Sequence, residues 1–575
     1  MSVAGCGSAR RRTERGLQRQ RAVASRPVSS EPTATATAHA QGQAAPPPTT
    51  SGRAVARNTA IFSIATGLSR IAGLVREIVA SSYFATSGAF SAFTIAFQVP
   101  NVVRSLFADA ALSAAFVPVF TELLEHGRRK EAFRLASTLF FLILTVLGAI
   151  AVVFMAVAGA LMPLFTGGTF DAQLDHLTVG LSRVLFPVVV ILGLNGLVVG
   201  ILNAYDHFAI PALSPLVWNF VILGCLIGTN QVLTGDEQLY GYAIGVVAGT
   251  AVQFAMALPQ LARLGFRLQV SFHFRDPRVR QVLRLMLPVT IGLGLINFNL
   301  LINSTLGSLV SDQAARAIDA AFRIYMLPQG MFSVAIATVL FPALSRLAAR
   351  KDLDGLRALT ANGMRQVFLL LIPAAAATLA LATPITRLIY QHGAFGPGST
   401  ELVSTALFWF SFSLPFSGVN LLLTRTFFSL QRPWITTGIA ALNLGVNVAV
   451  SVALYGPFGI AGIVVGTAAS SASMTLAQMH FLRRELHGRL EARRTAMVVA
   501  QLVAASAVLA GAAYVTWKVL DEALGRGLFA QIASVGAGLG VGGAIYASIV
   551  HALGIPEARQ IERLLAGRLL GRAKR

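Results

Sequence analysis

Long apolar runs separated by short polar breaks dominate the chain from residue 57 onward. They cover about 57–84, 88–122, 131–164, 176–203, 209–229, 238–264 and 277–308. Further runs follow at 314–348, 357–391, 399–429, 434–455, 458–484, 493–520 and 526–553. Each reaches or exceeds the roughly 20 residues that carry a helix across the hydrocarbon layer. In lipid an isolated segment can satisfy its backbone N–H and C=O groups only as a helix. The pattern therefore predicts an all-α polytopic membrane protein with about 14 transmembrane helices. Runs longer than the bilayer minimum are expected to tilt or kink.

Residues 1–55 break the pattern. They are rich in Arg, Ala, Thr, Ser, Gln and Pro, including Pro46-Pro47-Pro48, and nearly lack large apolar side chains. Such a segment buries too little surface to offset its ordering entropy, and it lacks the apolar core of a signal peptide. It is expected to be a disordered basic tail.

Composition agrees with the membrane reading. Hydrophobic residues make up 55% and charged residues 12%, against about a quarter charged in soluble domains. A net charge of +22 in a soluble chain would suggest nucleic acid. Here the arginines sit in short loops between apolar runs, so topology explains them and no nucleic-acid partner is expected. Cys6 and Cys225 lie too far apart in character and sequence to indicate a disulfide framework or a metal knuckle.

Basic breaks alternate with neutral or acidic ones. Arg128-Arg129-Lys130, the stretches 263–284, 346–357 and 483–494, Arg432 and the C-terminal tail fall on one side. The positive-inside rule makes that side, with both termini, cytoplasmic. Segment two contains Val99-Pro100-Asn101 and then Ala115 to Phe120; segment eight contains Leu327-Pro328-Gln329-Gly330 and then Val339 to Leu344. This echo predicts a parallel pseudo-repeat of two six-helix lobes; two proline-kinked helices alike by chance are the bland alternative. The expected organisation is a cytoplasmic tail over 1–55, an N-lobe over 56–270 and a C-lobe over 271–488. Two further helices over 489–555 and a basic cytoplasmic tail over 556–575 complete it.

The strongest chemical signal is charge inside the spans: Arg70, Arg76 and Glu77 in segment one, Arg104 and Asp109 in segment two, and Arg323 in segment eight. Each costs about 2.5–3.5 kcal/mol at a helix centre on insertion scales. Arg70 and Glu77, seven apart with Gly73 between them, share a helix face, while Arg76 points about 100° away from Glu77. A local Arg76–Glu77 pair or snorkelling near helix ends is one explanation. Arg70, Arg104 and Arg323 outnumber the nearby acids, which calls for an anion from outside. A guanidinium fork suits phosphate bidentately, so the residues point to a diphosphate site.

At these residues the chain resembles the MurJ (MviN) family of lipid II flippases within the MOP exporter superfamily. The resemblance runs from about Asn58 to the C-terminus. It rests on Ser69-Arg70 through Gly73 to Arg76-Glu77, on Pro100-Asn101 with Arg104 and Phe107-Ala108-Asp109, and on Ser113 to Pro118. Phe322-Arg323 with Pro328 and Gly330, and Gln391-His392-Gly393-Ala394-Phe395, extend it. It implies a fourteen-helix fold whose last two helices form a groove for a lipid tail. It also implies export of an undecaprenyl-diphosphate-linked peptidoglycan precursor, lipid II, across the bacterial cytoplasmic membrane. The same resemblance assigns Arg70, Arg76, Glu77, Arg104 and Arg323 to headgroup binding, with Gly73, Asn101, Asp109 and Pro328 in support.

Three positions depart from the family's pattern: Ser91, Phe322 and Asn303 stand where aspartates are common. Asn303, Asn443 and Asn447 could offer carbonyl oxygens to Na+, but three amides without an acid favour interhelical hydrogen bonding. No Gly-Lys-Ser/Thr loop occurs, so the energy source is expected to be Na+ or the membrane potential rather than ATP. Expected partners are lipid II, membrane lipids and the cell-wall synthesis machinery. Other readings are another MOP-superfamily exporter of polysaccharide-lipids or drugs, an intramembrane enzyme acting on polyprenyl diphosphate, and a membrane scaffold. A drug exporter should carry acidic rather than basic cavity residues. An enzyme would need an acid cluster or a His/Asp set inside a span.

Overall fold

A computed structural model describes residues 52–560 apart from 108–109, 206, 208, 487 and 489–490. Expectations for residues 1–51 and 561–575, and for Asp109, lie outside the described residues. Every regular element described is helical. The first eight are α1 (Gly52–Phe84), α2 (Gly88–Phe107), α3 (Ala110–Glu125), α4 (Arg129–Phe165), α5 (Ala172–Leu185), α6 (Pro187–Ala204), α7 (Ala209–Asn230) and α8 (Glu237–Arg263). Then come α9 (Pro277–Val310), α10 (Ala314–Ala349), α11 (Leu353–Ala380), α12 (Ala382–Tyr390), α13 (Pro397–Ser411) and α14 (Leu414–Ser429). The chain continues through α15 (Pro433–Glu485), α16 (Ala492–Leu524) and α17 (Leu528–Ala552).

Local signals set the helix starts. Asp171, Asp276 and Asp352 accept hydrogen bonds from Leu174, Arg278 and Gly355 backbone N–H groups at the starts of α5, α9 and α11, satisfying otherwise orphaned donors. Pro187, Pro277, Pro397 and Pro433 open α6, α9, α13 and α15, where a missing N–H costs nothing.

Several expected single spans are broken. The run 88–122 becomes α2 and α3, 176–203 becomes α5 and α6, and 357–391 becomes α11 and α12. The run 399–429 becomes α13 and α14, bent by 51°. The opposite happens at the Tyr455-Gly456-Pro457 turn: α15 runs through it, and the chain departs from helical geometry at Gly459 (φ 55, ψ −132). By length and apolarity alone, ten of the described helices could cross a membrane, or eleven if the bent pair counts as one span. That test does not reach the expected fourteen. The helices α1, α2 and α3 are not among the ten, α5 and α6 count together as one span, and α15 counts once although it holds two helices.

The exterior has the character lipid requires. Val152, Val153, Leu164 and Phe529 project outward with 61–85% of their surface exposed, as expected where the solvent is itself apolar. Buried apolar packing among the described residues falls into three clusters. Two are drawn from residues 80–315 and one from residues 306–558. The α16–α17 pair packs closely because Gly538 and Gly542 bring α17 against the Leu509 and Ala513 backbone. Tyr546 donates to the Leu369 carbonyl at 2.7 Å, fastening α17 to α11, and Arg387 on α12 pairs with Asp521 on α16.

Candidate functional site: an ion cluster between α1 and α10

The charged face of α1 meets α10 in antiparallel register. Glu77, only 2% exposed, accepts from Arg316 and lies 3.3 Å from Arg323 Nε. Two turns back along α1, Arg70 lies against Gly330, two turns on along α10. A Cβ added at Gly330 would run into the Arg70 guanidinium.

Arg316 and Asp319 complete the cluster. The Arg316 side chain is 1% exposed. It donates to Ser81 Oγ at 2.8 Å and to Asp319 Oδ2 at 3.0 Å, and its guanidinium carbon sits 4.0 Å from the centre of the Phe90 ring. Arg323 Nε donates to the same Asp319 oxygen at 2.9 Å. Two acids and two arginines thus share one knot, which is how charges persist in a low-dielectric interior. A cavity of about 20 Å³ lies among Glu77, Phe97, Gln98, Asp319 and Arg323, room for about one water molecule.

The remaining expected residues distribute as follows. Arg76 is 7% exposed and does not pair with its neighbour Glu77. Its guanidinium lies 4.9 Å from the Trp218 ring centre, and its Nε has no hydrogen-bond partner among the described residues. The Arg76–Glu77 pair considered from sequence is therefore replaced by a Glu77 contact across to α10. Arg70 is exposed rather than buried. Arg104 is half-buried and donates from Nε to Asn101 Oδ1 at 3.0 Å. Gly73 faces the Asn219 side chain on α7. Pro328 lies within α10, five residues beyond Arg323.

Asn303, Asn443 and Asn447 are brought together, with Asn299 and Thr467 between them. Asn299 donates to Asn443 Oδ1 at 3.1 Å, Asn447 to Asn303 Oδ1 at 2.8 Å, and Asn303 to Thr467 Oγ1 at 3.0 Å. Thr467 in turn donates to Asn447 Oδ1 at 3.3 Å. Each of the three amide oxygens already accepts a hydrogen bond, so the arrangement ties α9 to α15.

Arg316 and Asp319 were not singled out from sequence. The available signal was their place in the apolar run 314–348, at spacings of three and four residues that align them with Arg323 on one face of α10. Of the departures, Ser91 accepts from the Arg316 backbone N–H at 3.2 Å. Phe322 stacks on Tyr325 with ring centres 5.6 Å apart.

Comparison with known proteins shows the family. Residues 80–534 match the family model described as "Lipid II flippase MurJ". The "Probable lipid II flippase MurJ" of Vibrio cholerae is 29% identical over 509 residues, covering 86% of this chain and 95% of the relative. The "Lipid II flippase MurJ" of Burkholderia cenocepacia is 31% identical over 350 residues, 59% of this chain and 66% of its own. Among solved structures, a lipid II flippase MurJ in an inward closed conformation shares the fold. Its TM-score is 0.72 at 22% identity, covering 86% of this chain and 99% of that one. An inward-facing multidrug resistance MATE family transporter of the MOP superfamily matches at TM-score 0.63 and 14% identity, over 73% of this chain and 94% of its own. The chain is therefore a multi-pass membrane protein and a member of the lipid II flippase MurJ family.

Proposed function

We propose that this chain carries lipid II, the diphosphate-linked peptidoglycan precursor, from the inner to the outer leaflet of the bacterial cytoplasmic membrane. The observation that carries the reading is the family match over residues 80–534, supported by arginines held inside the bundle where α1 meets α10. Arg70, Arg76, Arg104 and Arg323 supply the guanidinium groups for the diphosphate, and Glu77 orients Arg323. The arginine-rich helix ends and both termini face the cytoplasm. Residues 56–270 and 271–488 act as two lobes that rock to expose the site alternately, while the lipid tail follows α16 and α17.

Flipping needs no bond chemistry. It needs a polar path for the headgroup and a driving force. Membrane potential supplies about 2.3 kcal/mol per charge per 100 mV, and we assign it that role ahead of Na+, because the Asn303, Asn443 and Asn447 oxygens are engaged with neighbouring donors.

Depleting the protein in cells tests the function. The expected result is lipid II accumulating in the inner leaflet, protected from a precursor-degrading enzyme added outside. Accumulation of a different polyprenyl-linked glycan would overturn the substrate assignment and favour a polysaccharide-lipid exporter.

A further inference from the structure

Arg183 is a membrane-level charge of a different kind, exposed rather than packed inside the bundle. It belongs to the span that α5 and α6 form together, Ala172–Ala204. It stands eleven residues from the start of that span, about 16 Å at 1.5 Å per residue. Half of a hydrocarbon layer is about 15 Å, so the Arg183 backbone lies near the middle of the bilayer. Its Nε donates to the Met155 carbonyl on α4 at 3.1 Å. Met155 is ten residues short of the end of α4 at Phe165, again about 15 Å. That bond holds the guanidinium deep, where arginines otherwise stretch toward the headgroups.

The surroundings are apolar. Val152, Val153 and Val157 on α4 are exposed, which marks this face as one that meets lipid. Among the described residues no acid pairs with Arg183. A lone guanidinium facing hydrocarbon is costly, and a carbonyl already used within its own helix offsets little of that cost. Beside it α4 turns small residues outward: Ala156, Gly159 and Ala160 are exposed. A Cβ at Gly159 would stand 4.0 Å from an Arg183 guanidinium nitrogen. Small residues let a neighbouring helix come close in a membrane.

We propose that the α4–α5 surface around Arg183 docks a transmembrane helix of another protein, one that presents a carboxylate at mid-membrane depth. The carboxylate accepts from the Arg183 guanidinium, and the partner's backbone approaches over Ala156 and Gly159. Charge and depth together select this occupant. A lipid phosphate would have to leave the headgroup layer to reach the middle of the hydrocarbon. A second copy related by a two-fold axis along the membrane normal would bring Arg183 toward its own image at the same depth. The acid within α5, Asp175, lies eight residues or about 12 Å nearer the membrane surface and cannot serve the copy's Arg183.

The test places the full chain in phosphatidylcholine vesicles with a synthetic membrane-spanning helix of leucine and alanine. One version carries a single glutamate at the depth of Arg183, the other a glutamine there. Energy transfer between labelled helix and labelled chain, in mildly alkaline buffer, reports association. The glutamate helix should bind about fivefold more tightly, the scale of interhelical polar pairs. Arg183→Gln should remove that preference. Gly159→Leu should weaken binding of both helices with the guanidinium still present, and unchanged binding there would overturn the close approach over α4. Equal binding of the two helices by the unsubstituted chain, or a preference that survives Arg183→Gln, would overturn the docking site. So would loss of the preference when phosphatidylglycerol is added, which assigns the guanidinium to a lipid phosphate. Self-association of the chain that Arg183→Gln abolishes would overturn it too, in favour of a second copy.

Discussion

Substituting Glu77 and Arg316 singly and together separates a charge-balanced cluster from a set of independent contacts. Glu77→Gln leaves two arginines facing one acid, and Arg316→Gln leaves two acids facing one arginine. Removing one partner of a buried pair costs about 3–5 kcal/mol, because an uncompensated charge remains where water cannot reach it. With side-chain exposures of 1% for Arg316 and 3% for Glu77, solvent screening gives little relief. In Glu77→Gln, Asp319 still holds Arg316 at 3.0 Å and Arg323 at 2.9 Å, which favours the lower end, about 3 kcal/mol. The double variant leaves Asp319 and Arg323 as a neutral pair and should cost less than either single change. Equilibrium unfolding in detergent, read as a double-mutant cycle, measures the coupling. Simple additivity of the two losses would refute the charge-balance reasoning.

Other outcomes follow from the same contacts. Arg76→Ala removes the guanidinium beside Trp218 and should cost only about 0.5–2 kcal/mol in an unfolding assay while lowering lipid II transport sharply. Gly393→Ala places a side chain at φ 60 against the Ser82 carbonyl; about 1–3 kcal/mol of backbone strain should appear as a lower unfolding midpoint. Asn447→Leu strands the Asn299 and Asn303 oxygens and should lower the unfolding midpoint by the equivalent of about 1–3 kcal/mol. Replacing Na+ with K+ on both sides of reconstituted vesicles should leave lipid II flux unchanged, and a loss of flux would return the asparagines to the role of a cation site.

The membrane class, the helical character and most helix positions were legible in the sequence because long apolar runs admit few structures in lipid. Breaks inside those runs were not. Ser411-Phe412-Ser413 carries no charge, glycine or proline, so the 51° bend there is not announced by any strong breaker within those three residues. The kink in α15 falls at Gly459 rather than at the Tyr455-Gly456-Pro457 turn because Gly459 is the residue that adopts positive φ. Within the site, the cost of buried charge singled out Arg76, Glu77 and Arg323. Their partners escaped notice because Glu77 meets Arg316 across 239 positions, a proximity only the packing of α1 on α10 creates. Arg70 has the same sequence character as Arg76, yet it is exposed while Arg76 is buried. One helix turned against its neighbours decides that, and periodicity alone does not fix the rotation.

The central claim is that guanidinium groups where α1 meets α10 carry the diphosphate of lipid II. Flux of labelled lipid II across vesicles containing Arg323→Ala measures it most directly, with folding verified by the unfolding midpoint. The account predicts loss of flux in a protein that remains folded. Flux equal to that of the unsubstituted chain would contradict it.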